Sequence, residues 1–163
     1  MTYKLRYIEP LYGFGEGISH IAVGDSAKAQ ATLAQMGEEL PGTNDLVAIY
    51  IPEGTDEAYQ AGNQKGRIVG AVRLLPMPAG HSIRNYHHHD IDGSLRWPVG
   101  WPCEAIYAPP TDQCPYLRTL TDDLFGSNSF TPYVKRFQHG PFKLEPKMAA
   151  ALIGIFSRFQ PLR

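Results

Sequence analysis

Gly66-Arg67-Ile68-Val69-Gly70-Ala71-Val72-Arg73-Leu74 is the stretch on which the fold of this 163-residue chain turns. Its β-branched and aliphatic residues, closed by Pro76 and Pro78, predict a strand over 67–75. Gly70 interrupts the apolar run, and a glycine inside a strand marks a bulge or a close approach by another backbone or a ligand. Working outward, Leu46-Val47-Ala48-Ile49-Tyr50-Ile51 is a second β-rich run that stops at Pro52. The polar, turn-rich stretch 53–65 between the two predicts a surface excursion joining paired strands. Tyr3-Lys4-Leu5-Arg6-Tyr7-Ile8-Glu9-Pro10 reads as a further short strand entering a turn at Glu9-Pro10.

Helical signals are interleaved with these strands. Asp25 or Ser26 is placed to cap a helix over 26–39, with Leu33, Met36 and Leu40 as its apolar stripe and Pro41-Gly42 as its stop. Pro115 opens a short helix carrying Leu117, Leu120 and Leu124, and Glu145-Pro146 starts a last one with proline at its first position. A strand is expected over 104–108. Strands mixed with three helices, without a regular βαβ alternation, predict an α+β, mostly antiparallel β-barrel with flanking helices, formed by residues 1–163 as a single domain.

Composition narrows the function classes. A chain of this size buries roughly 70% of its unfolded surface and needs neither metal nor disulfide to build a core. No apolar run approaches the ~20 residues that span a bilayer, and Met1-Thr2-Tyr3-Lys4-Leu5-Arg6 lacks a signal-peptide core, so a cytoplasmic address and no membrane partner are expected. Cys103 and Cys114 have neither zinc-knuckle nor redox spacing and read as reduced thiols. A formal net charge of -1 counts against a general nucleic-acid coat protein, since non-specific binding rests on neutralised phosphates. A local basic patch is still open to Arg67, Arg73, Arg84, Arg96, Arg118, Lys135 and Arg136, of which Arg67, Arg84 and Arg96 are assigned to phosphate.

Catalytic motifs are weak. Gly13-Phe14-Gly15-Glu16-Gly17 lacks the following Lys-Ser or Lys-Thr of a phosphate loop. His87-His88-His89-Asp90 points neighbouring rings in different directions, whereas a metal needs converging ligands. No nucleophile elbow occurs. Neither enzyme activity, a metal nor a cofactor is expected. Between residues 79 and 102 periodicity is lost in a long, aromatic-rich loop, which marks a functional segment. Within it Trp97-Pro98-Val99-Gly100-Trp101-Pro102 sets two indoles four apart in a proline-stiffened segment. Either both plug the core, the commoner fate of tryptophan, or one of them faces a cavity, where an aromatic wall holds an extruded base with roughly 1–3 kcal/mol per stack.

The chain resembles the EVE-type domains of the PUA-like superfamily, relatives of the YTH domains, over about two thirds of its length. Tyr3, Leu5, Glu9 and Pro10 match that family's opening motif, and Ala22-Val23-Gly24-Asp25 running into 28–33 matches its approach to the first helix. Asp45 to Tyr50 is similar to its Gly-Asp strand, Gly66 to Leu74 to its Ile-Val-Gly strand, and Trp97 to Tyr107 to the YTH-type loop and strand. Lys4 replaces an expected Trp, Ile8 a Ser, Asp25 an Asn, and His20 stands where a cage Trp is expected. The resemblance implies a nucleic-acid-binding reader whose pocket takes a modified base of DNA or RNA. Glu9, His20, Asp25, Trp97 and Trp101 are its base-binding residues, Asp25 accepting from an exocyclic amino group, and the resemblance extends the expected partners to a protein effector. The altered cage and the acidic balance define the alternative, a PUA-like small-molecule or protein-interaction domain without nucleic-acid binding.

Overall fold

The structure, a computed structural model, describes residues 2–163. In chain order its elements are β1 (Lys4–Pro10), β2 (His20–Val23), α1 (Ala27–Glu39), β3 (Asp45–Tyr50), β4 (Ile68–Leu74), β5 (Val99–Tyr107), α2 (Leu117–Phe125), α3 (Phe130–Val134), β6 (Phe142–Lys143) and α4 (Pro146–Phe156). The six strands form one sheet in the order β2-β5-β4-β3-β1-β6, curled into a half-barrel. Among the described residues the β1–β3 pairing is parallel and the other four are antiparallel. The α+β, mostly antiparallel character expected from the sequence is therefore present, with four α-helices rather than three.

The central strands are buried on both faces, which is why they read as continuous apolar runs. On β3 the period-2 alternation sends Leu46, Ala48 and Tyr50 into a core shared with α2, α3 and α4, where Leu117, Phe130, Leu152 and Phe156 meet them. Val47 and Ile49 face the opposite core, closed by Leu33, Met36 and Leu40 at α1. Ser26, not Asp25, caps α1, its hydroxyl accepting from the Ala29 N–H at 3.1 Å.

Gly70 sits where β4 is crowded from two sides. A Cβ there would lie 2.3 Å from the Tyr107 carbonyl oxygen and 2.5 Å from the Phe14 ring. The β4–β5 register shifts beside it, between Ala71 and Val72. Val69 and Val72 are buried, as their pattern predicts.

The expected strand at 104–108 begins earlier, at Val99, so Trp101 and Pro102 belong to β5 rather than to the loop. Proline cannot donate to a ladder, yet Pro102 lies in a strand paired on both sides. Leu75 N–H donates to the Pro102 carbonyl, and the Leu75 carbonyl, which an N–H at position 102 would otherwise reach, accepts from the Trp101 indole at 2.7 Å. The tryptophan supplies the hydrogen bond that the proline cannot. The short β2, α3 and β6 carry no pattern that the sequence reading separates from loop.

Candidate functional site

Beyond Pro10 the chain leaves the sheet and runs to β2 as an irregular loop. Leu11 N–H still donates to the Tyr50 carbonyl, so Tyr12 is held at the sheet's rim. Two hydrogen bonds between Phe14 and the Gln64 amide fasten this loop to the excursion between β3 and β4. Gly13-Phe14-Gly15 is thus a clasp, with Phe14 lodged against Gly70, and no helix follows it in the manner of a phosphate loop.

The aromatic-rich loop is an ordered arm. His88 and Trp97 form an antiparallel bridge, Asp90 N–H donates to the Ser94 carbonyl, and Gly93 makes the turn at φ 86°. A left-handed φ there suits glycine. Asp90 anchors the arm by accepting from the Tyr59 hydroxyl and pairing with Arg96 at 3.1 Å.

These segments enclose a cavity of about 450 Å³ at the ends of β1 and β3. Tyr12 stacks on Trp97 at 4.8 Å between ring centres, Tyr59 lies 4.9 Å from Tyr12, and the Arg96 guanidinium sits 4.9 Å over the Trp97 ring. Pro10, Pro52, Thr55, Asp56 and Phe137 complete the walls. Burial raises the Tyr12 phenol, and the hydrogen bond to Asp90 does the same for Tyr59, so both stay neutral, the Tyr59 proton being donated to Asp90. The arrangement offers flat aromatic faces, hydroxyls and one guanidinium to a planar, polar-edged ligand.

A smaller hollow of about 240 Å³ lies on the other side of Tyr12. His20 and His88 stack in it at 4.2 Å, nearly parallel, and the His88 ring also meets Tyr12 edge-on. Burial, followed by the neighbouring His20, lowers the His88 pKa, so a neutral ring is favoured there. His87 turns to the Arg84 carbonyl, and among the described residues no three His, Cys, Asp or Glu side chains converge on a metal position.

The residues nominated from the sequence are therefore dispersed. Trp97 and Arg96 line the large cavity, and His20 lines the small one. Trp101 lies outside both, its indole against Gly37 of α1. Asp25 is exposed ahead of the α1 cap, where its backbone carbonyl accepts from Gln30. Glu9 is 2% exposed with Oε2 lacking a hydrogen-bond partner, and burial pushes its carboxyl well above the ordinary range. It points into the fold, one residue before the cavity wall begins at Pro10. Arg67 is consumed internally by the Asn63 and Cys114 carbonyls and the Tyr116 hydroxyl, while Arg84 is exposed.

Tyr12 and Tyr59 were not among the nominees. Each is an aromatic residue in a polar, turn-rich segment, a signal that singles out candidates but does not say which rings converge. Burial raises the thiols of Cys103 to about 12 and of Cys114 to about 11, far from thiolate chemistry at neutral pH. Among the described residues no helix is long and apolar enough to cross a membrane. No protein-family model matches the chain, and comparison with curated proteins finds no match either.

Proposed function

We propose that this chain is a nucleic-acid-binding reader module of the PUA-like, EVE-type kind, taking a modified base into the cavity walled by Tyr12, Tyr59 and Trp97. The curled half-barrel is compatible with that superfamily. The observation that carries the reading is the convergence of Tyr12, Tyr59, Trp97 and Arg96 on one cavity of about 450 Å³, within the size range of small-ligand sites. An extruded base would stack on a ring face that the Tyr12–Trp97 pair leaves free and present its polar edge to the Tyr12 hydroxyl, Thr55 and Asp56. Arg96, already stacked on Trp97, would cover the mouth and face the adjoining phosphate.

The second reading, a PUA-like domain for small molecules or proteins without nucleic-acid binding, is favoured by Arg96 being neutralised by Asp90 and by the acidic Asp56 in the wall. Titrations of tryptophan fluorescence with nucleosides and with short single strands, modified and unmodified, separate the two. Quenching by both supports the base reader. Quenching by nucleosides alone favours the small-molecule domain, and no response to either removes the base pocket.

A further inference from the structure

A second cavity, of about 330 Å³, opens between α1, the 3₁₀ segment Lys135–His139 and β6. Its walls carry Lys28 from α1, Arg136 and His139 from the 3₁₀ segment, and Lys143 from β6, with the Tyr7 and Thr32 hydroxyls between them. Among the described residues no acidic side chain lines it. Two carboxylates bond to its lining residues: Glu39 accepts from Tyr7 and Gln35, pairs with Arg6 and feels the charge of Lys143, and Glu145 pairs with Arg136 and accepts from Tyr133. Among the described residues Lys28 and Lys143 have no ion-pair partner.

Lys28 and Lys143, drawn from two elements and left without an ion-pair partner beside Arg136, which Glu145 already neutralises, repel one another across the hollow, and an anion relieves that repulsion. In a chain of net charge -1 such a concentration is local rather than general. The same 3₁₀ segment joins this hollow to the aromatic cavity, since Phe137 lines one while Arg136 and His139 line the other. Five residues at roughly 2 Å each span about 10 Å, a length that about three nucleotides cover at a rise of about 3.4 Å apiece in a stacked strand.

We infer that the Lys28–Arg136–His139–Lys143 hollow binds the phosphodiester backbone of a single strand whose base occupies the Tyr12–Trp97 cavity. This assignment rests on the base-reading proposal for the position of the strand. The phosphate role expected of Arg67 then passes to residues from α1, β6 and the segment between α3 and β6. Phosphate contacts hold the strand in place and carry no sequence information, so the base cavity remains the source of selectivity.

The test uses the full chain and Lys28→Gln/Lys143→Gln, two exposed substitutions whose unchanged melting temperature checks the fold. With a short single strand, the slope of log affinity against log salt should become shallower by about 1 for each lysine removed, with affinity lost uniformly across sequences. Nucleoside quenching of Trp97 should stay as in the parent. An abasic strand and inorganic phosphate are followed separately by backbone amide shifts. Shifts at Lys28, His139 and Lys143 with the abasic strand support the hollow even where nucleosides fail to bind, which would overturn only the base reading. An unchanged salt slope in the double variant, no shifts with the abasic strand, or shifts with inorganic phosphate alone would each overturn the backbone assignment.

Discussion

Trp97 and Trp101, four residues apart, have different work because one belongs to the arm and the other to β5. Trp101 donates to the Leu75 carbonyl and fills the space that Gly37 leaves open: a Cβ at position 37 would lie 2.4 Å from its ring. Its removal leaves a cavity between β5 and α1 and an unpaired carbonyl beside Pro102. Trp101→Ala is expected to cost about 3 kcal/mol, read as a drop in the urea midpoint. Trp97→Ala removes a stack with Tyr12 on a half-exposed arm, so its stability cost should be about 1 kcal/mol. Its main effect should be loss of nucleoside and strand binding. Equal destabilisation by the two, with binding intact in both, would contradict this division.

At the scale of elements, the sheet is shaped by a few residues that break its regularity. Gly70 lets the Tyr107 carbonyl and the Phe14 ring press against β4, and this positions the clasp that carries Tyr12 to the cavity rim. The Tyr107 carbonyl is backbone inside a paired strand and has no rotamer by which to retreat. Gly70→Ala should therefore destabilise by about 1–3 kcal/mol through overpacking. Gly13→Ala, where a Cβ would meet nothing within 4 Å, serves as the control and should be close to neutral. Matching denaturation midpoints for the two variants would show that β4 and β5 separate more easily than the register implies. Trp101 and Pro102 illustrate the same economy, an indole N–H standing in for a missing amide so that β5 continues through a proline.

For the whole molecule, the buried Glu9 makes stability depend on pH in an unusual direction. Between the ordinary carboxyl value of 4.5 and its raised value in the fold, the unfolded chain has released the proton that the folded chain retains. Stability is then full below 4.5 and falls as pH rises through that window. His88 acts oppositely: its pKa is lowered in the fold by burial and by His20, so its contribution is present above 6.5 and is lost as pH falls below it. Glu9→Gln keeps the shape and stays neutral at every pH. Its melting temperature should exceed the parent's at pH 7.5, and the difference should shrink to little at pH 4. A difference that does not vary with pH would mean that Glu9 is ionised inside the fold.

Strand and helix positions were legible in the sequence wherever burial imposes a period or a doubly buried run: β1, β3, β4, α1 and α4 fall within about two residues of their expected bounds. Gly70 announced a close contact because a missing Cβ is itself the local signal. The short β2 and β6 went unseen, since two to four residues carry no period, and β5 was cut short because Pro98 and Pro102 imitate a loop. The site was legible as residue types and not as an assembly. Trp97 and Arg96 could be nominated from the arm, but Tyr12 and Tyr59 join them only because the Phe14 clasp and the Asp90 anchor fold distant segments together. Likewise Lys28 and Lys143, 115 positions apart, share a hollow only once α1 lies beside β6. Burial periodicity is written along the chain, one residue after another. The convergence of side chains depends on pairings across the whole sheet, and those exist only in the folded molecule.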